Sequence, residues 1–353
     1  MQQDSNKINE KKIHPFIVSS HDSGTRADIF LSKALNVSRS KVQNLIDKKE
    51  IFLNNKPLNK HGAILSENDS LTLIANTESK KDSASQVFDV PILYEDSDFL
   101  ILNKPSNLIV HRANEKDLQF TLVDYLKGKG FKLSNLGDSY RQGIVHRLDK
   151  NTSGAIVVAK NNVAHKLLSS QIKSKEMGRY YLCVINQTLK KSQIIESSIM
   201  RHPKERLRYI ATKNNHFNAK TAKTAFFSIP TSLKSTFNQD ENHPKKEIPA
   251  LIGAKLFTGR THQIRVHLNA INRYILGDAF YGYKGQYTGR ILLHAHYLHL
   301  LHPRTQKPLE IYAPIPLDMQ KFIYTHFDLS CYQDPKNSEL FKIPLCQIYA
   351  NQF

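Results

Sequence analysis

The pattern of apolar and polar positions divides the chain into two regions. Between residues 24 and 75, apolar residues recur first at helical spacing and then in two short strand-like runs, Ile51–Leu53 and Leu71–Ile74. Residues 76–87 are mostly polar and rich in Ser and Lys, which predicts a linker. We therefore expect a small α/β module at residues 24–75, preceded by a tail at residues 1–23 that ends in an apolar patch.

The second region, residues 88–327, predicts a larger domain of short strands with few helices. The predicted strands are Phe99–Leu102, Leu108–Val110, Ala155–Ala159, Tyr180–Ile185, Ala225–Ile229 and Ala250–Phe257. The predicted helices are Leu122–Lys127, Ala164–Ile172 and His262–Ile271. Strands and helices do not alternate regularly, so we expect an α+β fold with a mainly antiparallel sheet. Residues 231–247 are polar and predict an exposed insertion, and residues 328–353 predict a C-terminal extension.

Composition places the chain among soluble proteins. It has 353 residues, 40% hydrophobic and 23% charged, and no stretch approaches the ~20 apolar residues of a membrane helix. The first twelve residues lack the apolar core of a secretory signal, so we expect a cytoplasmic location. Three scattered cysteines, Cys183, Cys331 and Cys346, predict neither a disulfide framework nor a zinc site.

Charge suggests an anionic partner. Fifty Lys and Arg against 31 Asp and Glu give a formal net charge of +19, which attracts polyanions such as nucleic acid. A Lys-rich composition that only solubilises the protein is the alternative. The predicted second helix of the small module carries three candidate phosphate contacts, Arg39, Lys41 and Lys48.

Three segments carry candidate chemistry. The first, residues 143–154 (GIVHRLDKNTSG), places Asp149 between Arg147 and Lys150 on a polar loop before a buried apolar strand. Taken alone, a salt bridge within the loop is the better explanation of these charges. In the second, residues 258–268 (TGRTHQIRVHL), Thr261 is positioned to cap a helix, which would leave His262 and Arg265 near its N-terminus.

The third segment is residues 179–185 (RYYLCVI), where strand alternation places Arg179, Tyr181, Cys183 and Ile185 on one face. Together the three segments resemble the RluA family of pseudouridine synthases, and the resemblance extends over most of residues 92–316. The HRLD-x-x-TSG segment at residues 146–154 is highly specific for that family. Residues 24–31, 38–40 and 51–54 resemble, with moderate specificity, the S-four-like RNA-binding domain.

The resemblance implies an isomerase that breaks the bond between uracil and ribose and rejoins the base through carbon 5, without a cofactor. It gives Asp149 the place of the catalytic carboxylate, Tyr181 that of the active-site aromatic and Arg265 that of the carboxylate's basic partner. Tyr180 takes the aromatic role if the strand register is shifted by one. A cation close to an Asp lowers its pKa, so we expect Asp149 to be ionised at neutral pH. Outside the resemblance, a core aromatic would be the better interpretation of Tyr181.

The chain departs from the family pattern in places. Asn107 stands where Gly is common, which is tolerable because Asn adopts positive φ more readily than most residues. Cys183 replaces a usual Ala, and Gln187 replaces a usual Gly.

Basic residues around these segments are candidate RNA contacts. They comprise the run at residues 201–208, including Arg206 and Arg208, together with Arg147, Arg260 and His262. A solvated hairpin is the alternative for that run. The histidine-rich residues 294–302 invite a metal hypothesis, but no complete ligand motif is present and we expect no metal.

We therefore predict a monomeric RNA pseudouridine synthase acting on structured RNA, with large-subunit ribosomal RNA as the substrate that the appended small module favours. Two alternatives remain at this point. One is a non-catalytic RNA-binding factor in ribosome assembly, which would require loss of Asp149 or Arg265. The other is a metal-dependent phosphodiesterase built from Asp149 and the histidine-rich segment.

Overall fold

A computed structural model describes residues 15–35, 37–47, 49–73, 88–212, 217–234, 248–334, 337–341 and 343–353. The chain separates into two compact units, with the division between Val87 and Phe88. Among the described residues, no helix is both long and apolar enough to cross a membrane. The predicted linker at residues 76–87 and most of the predicted 231–247 insertion lie outside the described residues.

The first unit packs two helices on a small antiparallel sheet. Its elements are β1 (Phe16–Ile17), α1 (Ala27–Ala34), α2 (Arg39–Asp47), β2 (Ile51–Leu53), β3 (Lys56–Pro57) and β4 (Ser70–Leu73), with the strand order β1-β4-β2-β3. Leu31, Val42 and Leu71 are fully buried in its core. Phe16 pairs with Leu71, so the unit begins before Gly24 and includes part of the segment expected as a tail.

The second unit is built on a ten-stranded sheet of described strands. These are β5 (Ile92–Glu95), β6 (Phe99–Lys104), β7 (Ser153–Ala159), β8 (Gly178–Ile185), β9 (Gln193–Arg201), β10 (Tyr209–Thr212), β11 (Lys220–Ser228), β13 (Ala250–Leu256), β14 (Leu293–Leu301) and β15 (Pro308–Tyr312). The order is β10-β9-β11-β13-β8-β14-β7-β6-β5, with β15 beside β14. The pairing is antiparallel except between β14 and β7, which confirms the predicted α+β class.

Helices cover this sheet, and short strand pairs lie outside it. The helices are α3 (Leu122–Gly128), α4 (Asn162–Ser174), α5 (Gln263–Ala270), α6 (Leu317–His326) and α7 (Leu345–Ala350). Short 3-10 helices occur in this unit at Ser139–Arg141, Ala279–Tyr281 and Ser330–Tyr332, and in the first unit at Ser20–Asp22. The remaining strands are β12 (Ser232–Leu233) with β16 (Phe327–Asp328), and β17 (Gln333–Asp334) with β18 (Asn337–Phe341).

Strand β8 is apolar at almost every position because both of its faces are covered. Its residues Tyr181, Cys183 and Ile185 belong to one core cluster, while Tyr180, Leu182 and Val184 belong to another on the opposite face. The predicted alternation is thus confirmed.

Two sequence predictions concern the segment around Asn107: a strand at Leu108–Val110, and a positive φ at Asn107 itself. The predicted strand at Leu108–Val110 is wrong: only an isolated bridge from Ile109 to Thr121 is formed, because the chain turns at Asn107. Asn107 itself has φ of 69°, so Asn does take the left-handed conformation for which Gly is common.

The C-terminal segment, expected as an extension of the larger domain, packs into the second unit. Ile343 and Leu345 are fully buried in the same cluster as Tyr180 and Val184 of β8. The Tyr180 hydroxyl lies 3.4 Å from Cys346 Sγ. This segment therefore covers one face of the strand whose other face carries Tyr181.

Candidate active site

A cavity of about 250 Å³ lies in the second unit, where the three candidate segments meet. The loop before β7 contributes Val145–Asp149, strand β8 contributes Arg179 and Tyr181, and the start of α5 contributes Gly259–Arg265. The structure thus brings all three proposed catalytic residues to one cavity.

A buried lysine, Lys104, holds the end of the Asp149 loop through backbone hydrogen bonds. Lys104 Nζ donates to the backbone oxygens of Lys150 (3.2 Å), Leu108 (2.9 Å) and Pro105 (2.8 Å). Burial lowers the pKa of Lys104 to about 7, opposed by the negative charge of Asp149. Three carbonyl acceptors favour the ammonium form, because a neutral amine has only two N–H groups to donate.

Gly154 closes the loop. Its φ is 117°, and a Cβ at this position would lie 2.3 Å from the backbone oxygen of Ala295 on β14. Only glycine tolerates both conditions. The close approach of β14 therefore fixes the end of the loop that carries Asp149.

Arg265 is the main cation beside Asp149, but another carboxylate holds it more tightly. Its Nη1 lies 3.7 Å from Asp149 Oδ2, whereas Nε and Nη2 donate to Asp278 at 2.7 and 2.8 Å. Burial, the largest single influence, lowers the pKa of Arg265, but the hydrogen bonds to Asp278 together with the negative charges of Asp278 and Asp149 outweigh it, so the pKa is raised. Sequence reasoning assigned no role to Asp278, although the segment Leu276–Asp278 belonged to the family resemblance.

His262 also faces Asp149. The Tyr281 hydroxyl accepts a hydrogen bond from the Tyr209 amide (3.1 Å) and lies 2.9 Å from His262 Nδ1. If the hydroxyl hydrogen is donated to Nδ1, the hydrogen of neutral His262 resides on Nε2, which lies 3.9 Å from Asp149 Oδ2. Burial lowers the pKa of His262, so the neutral imidazole prevails at pH 7.

Tyr181 forms one wall of the cavity. It is 4% exposed, and burial raises its pKa to about 12, so its hydroxyl stays protonated. Tyr180 packs on the opposite face of the sheet against the C-terminal segment. Of the two candidate tyrosines, the cavity thus exposes Tyr181.

Helix α5 does not begin as expected. The predicted Thr261 cap is wrong: the N-cap is His262, with φ of 57° and no side-chain cap. Instead, Gln263 Oε1 accepts hydrogen bonds from the Arg260 amide (2.9 Å) and Thr258 Oγ1 (2.7 Å). The Gln263 side chain therefore closes the turn, a contact between neighbours that helical periodicity does not reveal.

The proposed RNA contacts are spread around this cavity and over the first unit. Arg147 and Arg260 are exposed residues of the cavity lining, and Arg260 Nε donates to the Thr221 oxygen at 3.0 Å. Arg208 lies over the Tyr281 ring at 5.5 Å, so the β9–β10 hairpin borders the site, while Arg206 is exposed. Arg39 Nη2 donates to Asp28 at 2.9 Å, and the Lys41 and Lys48 side chains lie outside the described residues.

The two buried histidines of strand β14, His294 and His296, form hydrogen bonds through three of their four ring nitrogens, while His296 Nε2 is buried without a partner. His294 Nε2 and His296 Nδ1 both lie 3.1 Å from the Ala313 oxygen, and Ser153 Oγ lies 3.0 Å from His294 Nδ1. In the described part of the chain, metal-capable side chains gather at another place, Asp96, Asp98 and His302. There Arg304 already forms a bidentate pair with Asp98 at 2.7 and 2.8 Å.

Comparison with known proteins identifies the family. A family model described as RNA pseudouridylate synthase matches residues 98–270. An "uncharacterized RNA pseudouridine synthase" of Helicobacter pylori strain J99 is 41% identical over 309 residues, which cover 86% of this chain and 90% of the relative. A "ribosomal large subunit pseudouridine synthase D" of Nitrosomonas europaea is 31% identical over 306 residues, or 84% of this chain and 83% of the relative.

A solved structure shares the fold. "Human RNA Pseudouridylate Synthase Domain Containing 1" is 22% identical, with a TM-score of 0.54, over 76% of this chain and 97% of that chain. The sequence relatives carry the assignment further, since they match at higher identity over most of both chains. The chain belongs to the RluA family of RNA pseudouridine synthases.

Proposed function

We propose that this protein converts specific uridines of large-subunit ribosomal RNA to pseudouridine, with Asp149 as the catalytic carboxylate. The observation that carries the proposal is the position of Asp149 in the cavity, 3.7 Å from Arg265 and 3.9 Å from His262. Relatives named as large-subunit pseudouridine synthases support the choice of substrate.

The reaction is an isomerisation, so no atom is gained or lost overall. The N1–C1′ bond of uridine breaks, a C5–C1′ bond forms, the proton on C5 leaves and N1 gains a proton. The residues that we propose to act here supply a carboxylate, Asp149, and two groups that orient it, Arg265 and His262. Asp278 is the positioning residue, because it holds the Arg265 guanidinium in place.

Tyr181 is the proposed stacking surface. A uridine inside folded RNA must be turned out of its stack to reach a carboxylate within a cavity, and an aromatic ring offers it about 1–3 kcal/mol of stacking. Tyr181 lines the same cavity as Asp149, and because burial raises its pKa to about 12, its hydroxyl stays protonated at neutral pH.

The first unit is the proposed RNA handle, with residues 24–75 as the RNA-binding module and residues 88–327 as the catalytic domain. Asp28 is fully buried and accepts hydrogen bonds from Arg26, Arg39 and Gln43. This anchors Arg39 while about half of its side chain remains exposed. An arginine held in this way loses less entropy on binding a phosphate.

Sequencing that locates pseudouridine in total RNA tests the proposal. Cells with the protein, without it, and with the Asp149→Asn variant are compared. We expect one or more large-subunit uridines to be modified only with the parent protein. Modification that persists without the protein, or that appears only in other RNA classes, would refute the substrate.

A further inference from the structure

Arg179 is a buried cation whose charge no carboxylate of the described residues balances. Its side chain is 6% exposed, and its Nε has no hydrogen-bond acceptor. Arg265, the other buried arginine that lines the cavity, is paired: it binds Asp278 and faces Asp149. A buried charge without a partner is strongly unfavourable, and such groups are normally paired.

The Arg179 guanidinium lies in the wall of the active-site cavity. Arg179 shares a face of β8 with Tyr181, and both line the cavity with Asp149. Gly259 makes room for it, because a Cβ at that position would lie 2.9 Å from Arg179 Nη1. The segment at Gly259 leads directly into α5, whose N-terminus is favourable for an anion.

His146 also lines the cavity and carries a second buried donor without a partner. Its Nε2 accepts a hydrogen bond from the Val157 amide at 3.0 Å, so the hydrogen of the neutral ring resides on Nδ1. Burial, and then the charge of Arg179, lowers the pKa of His146 to about 3, which keeps the ring neutral. Its Nδ1 is buried and has no hydrogen-bond partner.

We propose that Arg179 and His146 form a phosphate-binding subsite that holds a non-bridging oxygen of a phosphodiester flanking the target uridine. The proposal rests on the proposed function and names how the substrate is held there. Both groups only donate hydrogen bonds, so the ligand atom is an acceptor. An anionic oxygen also balances the Arg179 charge, which a neutral uracil oxygen does not.

Neutral linkages in a substrate oligonucleotide test the subsite. An RNA centred on a mapped uridine carries a methylphosphonate at the 5′ or the 3′ linkage of that uridine. The ribose on the 5′ side of each neutral linkage carries hydrogen in place of its 2′-hydroxyl, because that hydroxyl could attack the neutral phosphorus and cleave the RNA. The control RNA carries the same 2′-deoxyribose with an ordinary phosphate, and the dissociation constant is measured for each.

We expect one of the two neutral linkages to weaken binding by the parent protein by about 30-fold or more. The same linkage should change binding to Arg179→Gln by less than about 3-fold, since the contact is already lost. The matched control variant, Lys166→Gln, removes one positive charge at an exposed position on α4 and should keep the full sensitivity. Tolerance of both linkages by the parent protein, or equal sensitivity in Arg179→Gln, would overturn the subsite.

Sensitivity to 2-thiouridine or 4-thiouridine that disappears only in Arg179→Gln would instead assign Arg179 to a uracil oxygen.

A second measurement does not depend on the catalytic proposal. Inorganic phosphate is titrated into the parent protein while the Arg179 Nε–H signal, identified by its loss in Arg179→Lys, is followed by NMR. A saturable shift that chloride at equal ionic strength does not reproduce supports the subsite, and its absence overturns it. If the parent protein forms no pseudouridine in the oligonucleotide, the proposed function fails by itself and this titration still decides the subsite.

Discussion

A cation, Arg265, and a neutral imidazole, His262, approach Asp149 without hydrogen-bonding it directly. Arg265 Nη1 and His262 Nε2 lie 3.7 and 3.9 Å from Oδ2, and the Asp149 side chain is 17% exposed. This spacing leaves the carboxylate oxygens free for the substrate while the neighbouring cation stabilises their charge.

Asp149→Asn isolates that charge, because it keeps the shape of the side chain. We expect pseudouridine formation to fall to background and RNA affinity to remain within about threefold, since phosphate contacts dominate affinity. Single-turnover assays and binding titrations on purified protein measure both. Asp89→Asn, at an exposed position, is the matched control. Turnover above background, with deamidation excluded by mass spectrometry, would remove Asp149 from the mechanism.

Two substitutions of Tyr181 separate a stacking role of the ring from a chemical role of the hydroxyl. Its ring lines the cavity and burial raises its pKa to about 12. We expect Tyr181→Phe to keep most activity and Tyr181→Leu to lose about 5- to 150-fold in kcat/KM, in line with ~1–3 kcal/mol of lost stacking. Equal losses in the two variants would instead point to the hydroxyl.

At the scale of elements, α5 carries Arg265, and the 3-10 helix at Ala279–Tyr281 directly follows Asp278, so the Arg265–Asp278 pair links these two elements. Arg265 is 7% exposed and Asp278 is 1% exposed, so the pair is buried. The N-cap of α5 is His262, whose ring centroid lies 5.7 Å from that of Tyr209 and 5.5 Å from that of Tyr281. The two elements and the β9–β10 hairpin therefore share the task of placing both groups beside Asp149.

Asp278→Asn should be destabilising and inactivating. Removing one partner of a buried pair costs about 3–5 kcal/mol, and the freed Arg265 would be drawn toward Asp149. The control is Asp318→Asn, which breaks the half-exposed Arg290–Asp318 pair and should cost less than about 1 kcal/mol. Urea unfolding and single-turnover assays measure the two effects. Comparable stability losses in the two variants would contradict the buried role of Asp278.

Strand β14 makes the second unit sensitive to acid. Burial lowers the pKa of His296 to about 4 and lowers that of His294 well below its usual value, so both are neutral when folded but protonate near pH 6.5 when unfolded. The unfolded state thus binds more protons, and stability is complete above about pH 6.5 and falls as pH decreases toward 4.

Each such histidine contributes up to about 1.4 kcal/mol per pH unit in that window. We expect His296→Gln to reduce the pH dependence of the unfolding free energy between pH 6.5 and 5 by about that amount. Urea unfolding at several pH values measures it, with His21→Gln at an exposed position as the control. A parent protein whose stability does not change across this range would contradict the burial of neutral histidines.

At the scale of the whole molecule, we expect the net charge and the division into two units to determine how RNA is bound. The net charge of +19 and the two compact units suggest that both units contribute phosphate contacts. The logarithm of affinity should fall linearly with the logarithm of salt concentration, by about 0.7–0.9 for each phosphate neutralised.

Removal of residues 1–87 should lower affinity for long structured RNA and make this slope shallower. Binding of the parent and shortened proteins is measured from 50 to 300 mM salt, on the order of the range where such slopes are resolved. Circular dichroism checks that the shortened protein folds. Equal slopes and affinities for the two folded proteins would show that the first unit is not the RNA handle.

The sequence by itself determined much of this picture, because much of it is local. Strand alternation placed Tyr181 and Cys183 on one face, and the structure agrees. The turn at Asn54 and Asn55 has positive φ at both residues, as its composition favours. The HRLD-x-x-TSG segment at residues 146–154 indicates the family without reference to any tertiary contact.

Only the tertiary structure decided which side chains hold the site. Asp278 accepts a hydrogen bond from Arg265, and the Tyr281 hydroxyl lies within hydrogen-bond distance of His262. Lys104 supports the Asp149 loop by donating to the backbone oxygen of Lys150, 46 positions later in the sequence. Periodicity reports which face a residue occupies, but not its partner on another element. Those partners depend on the order of strands in the sheet and on the need of buried polar groups for hydrogen bonds, which only the folded chain satisfies.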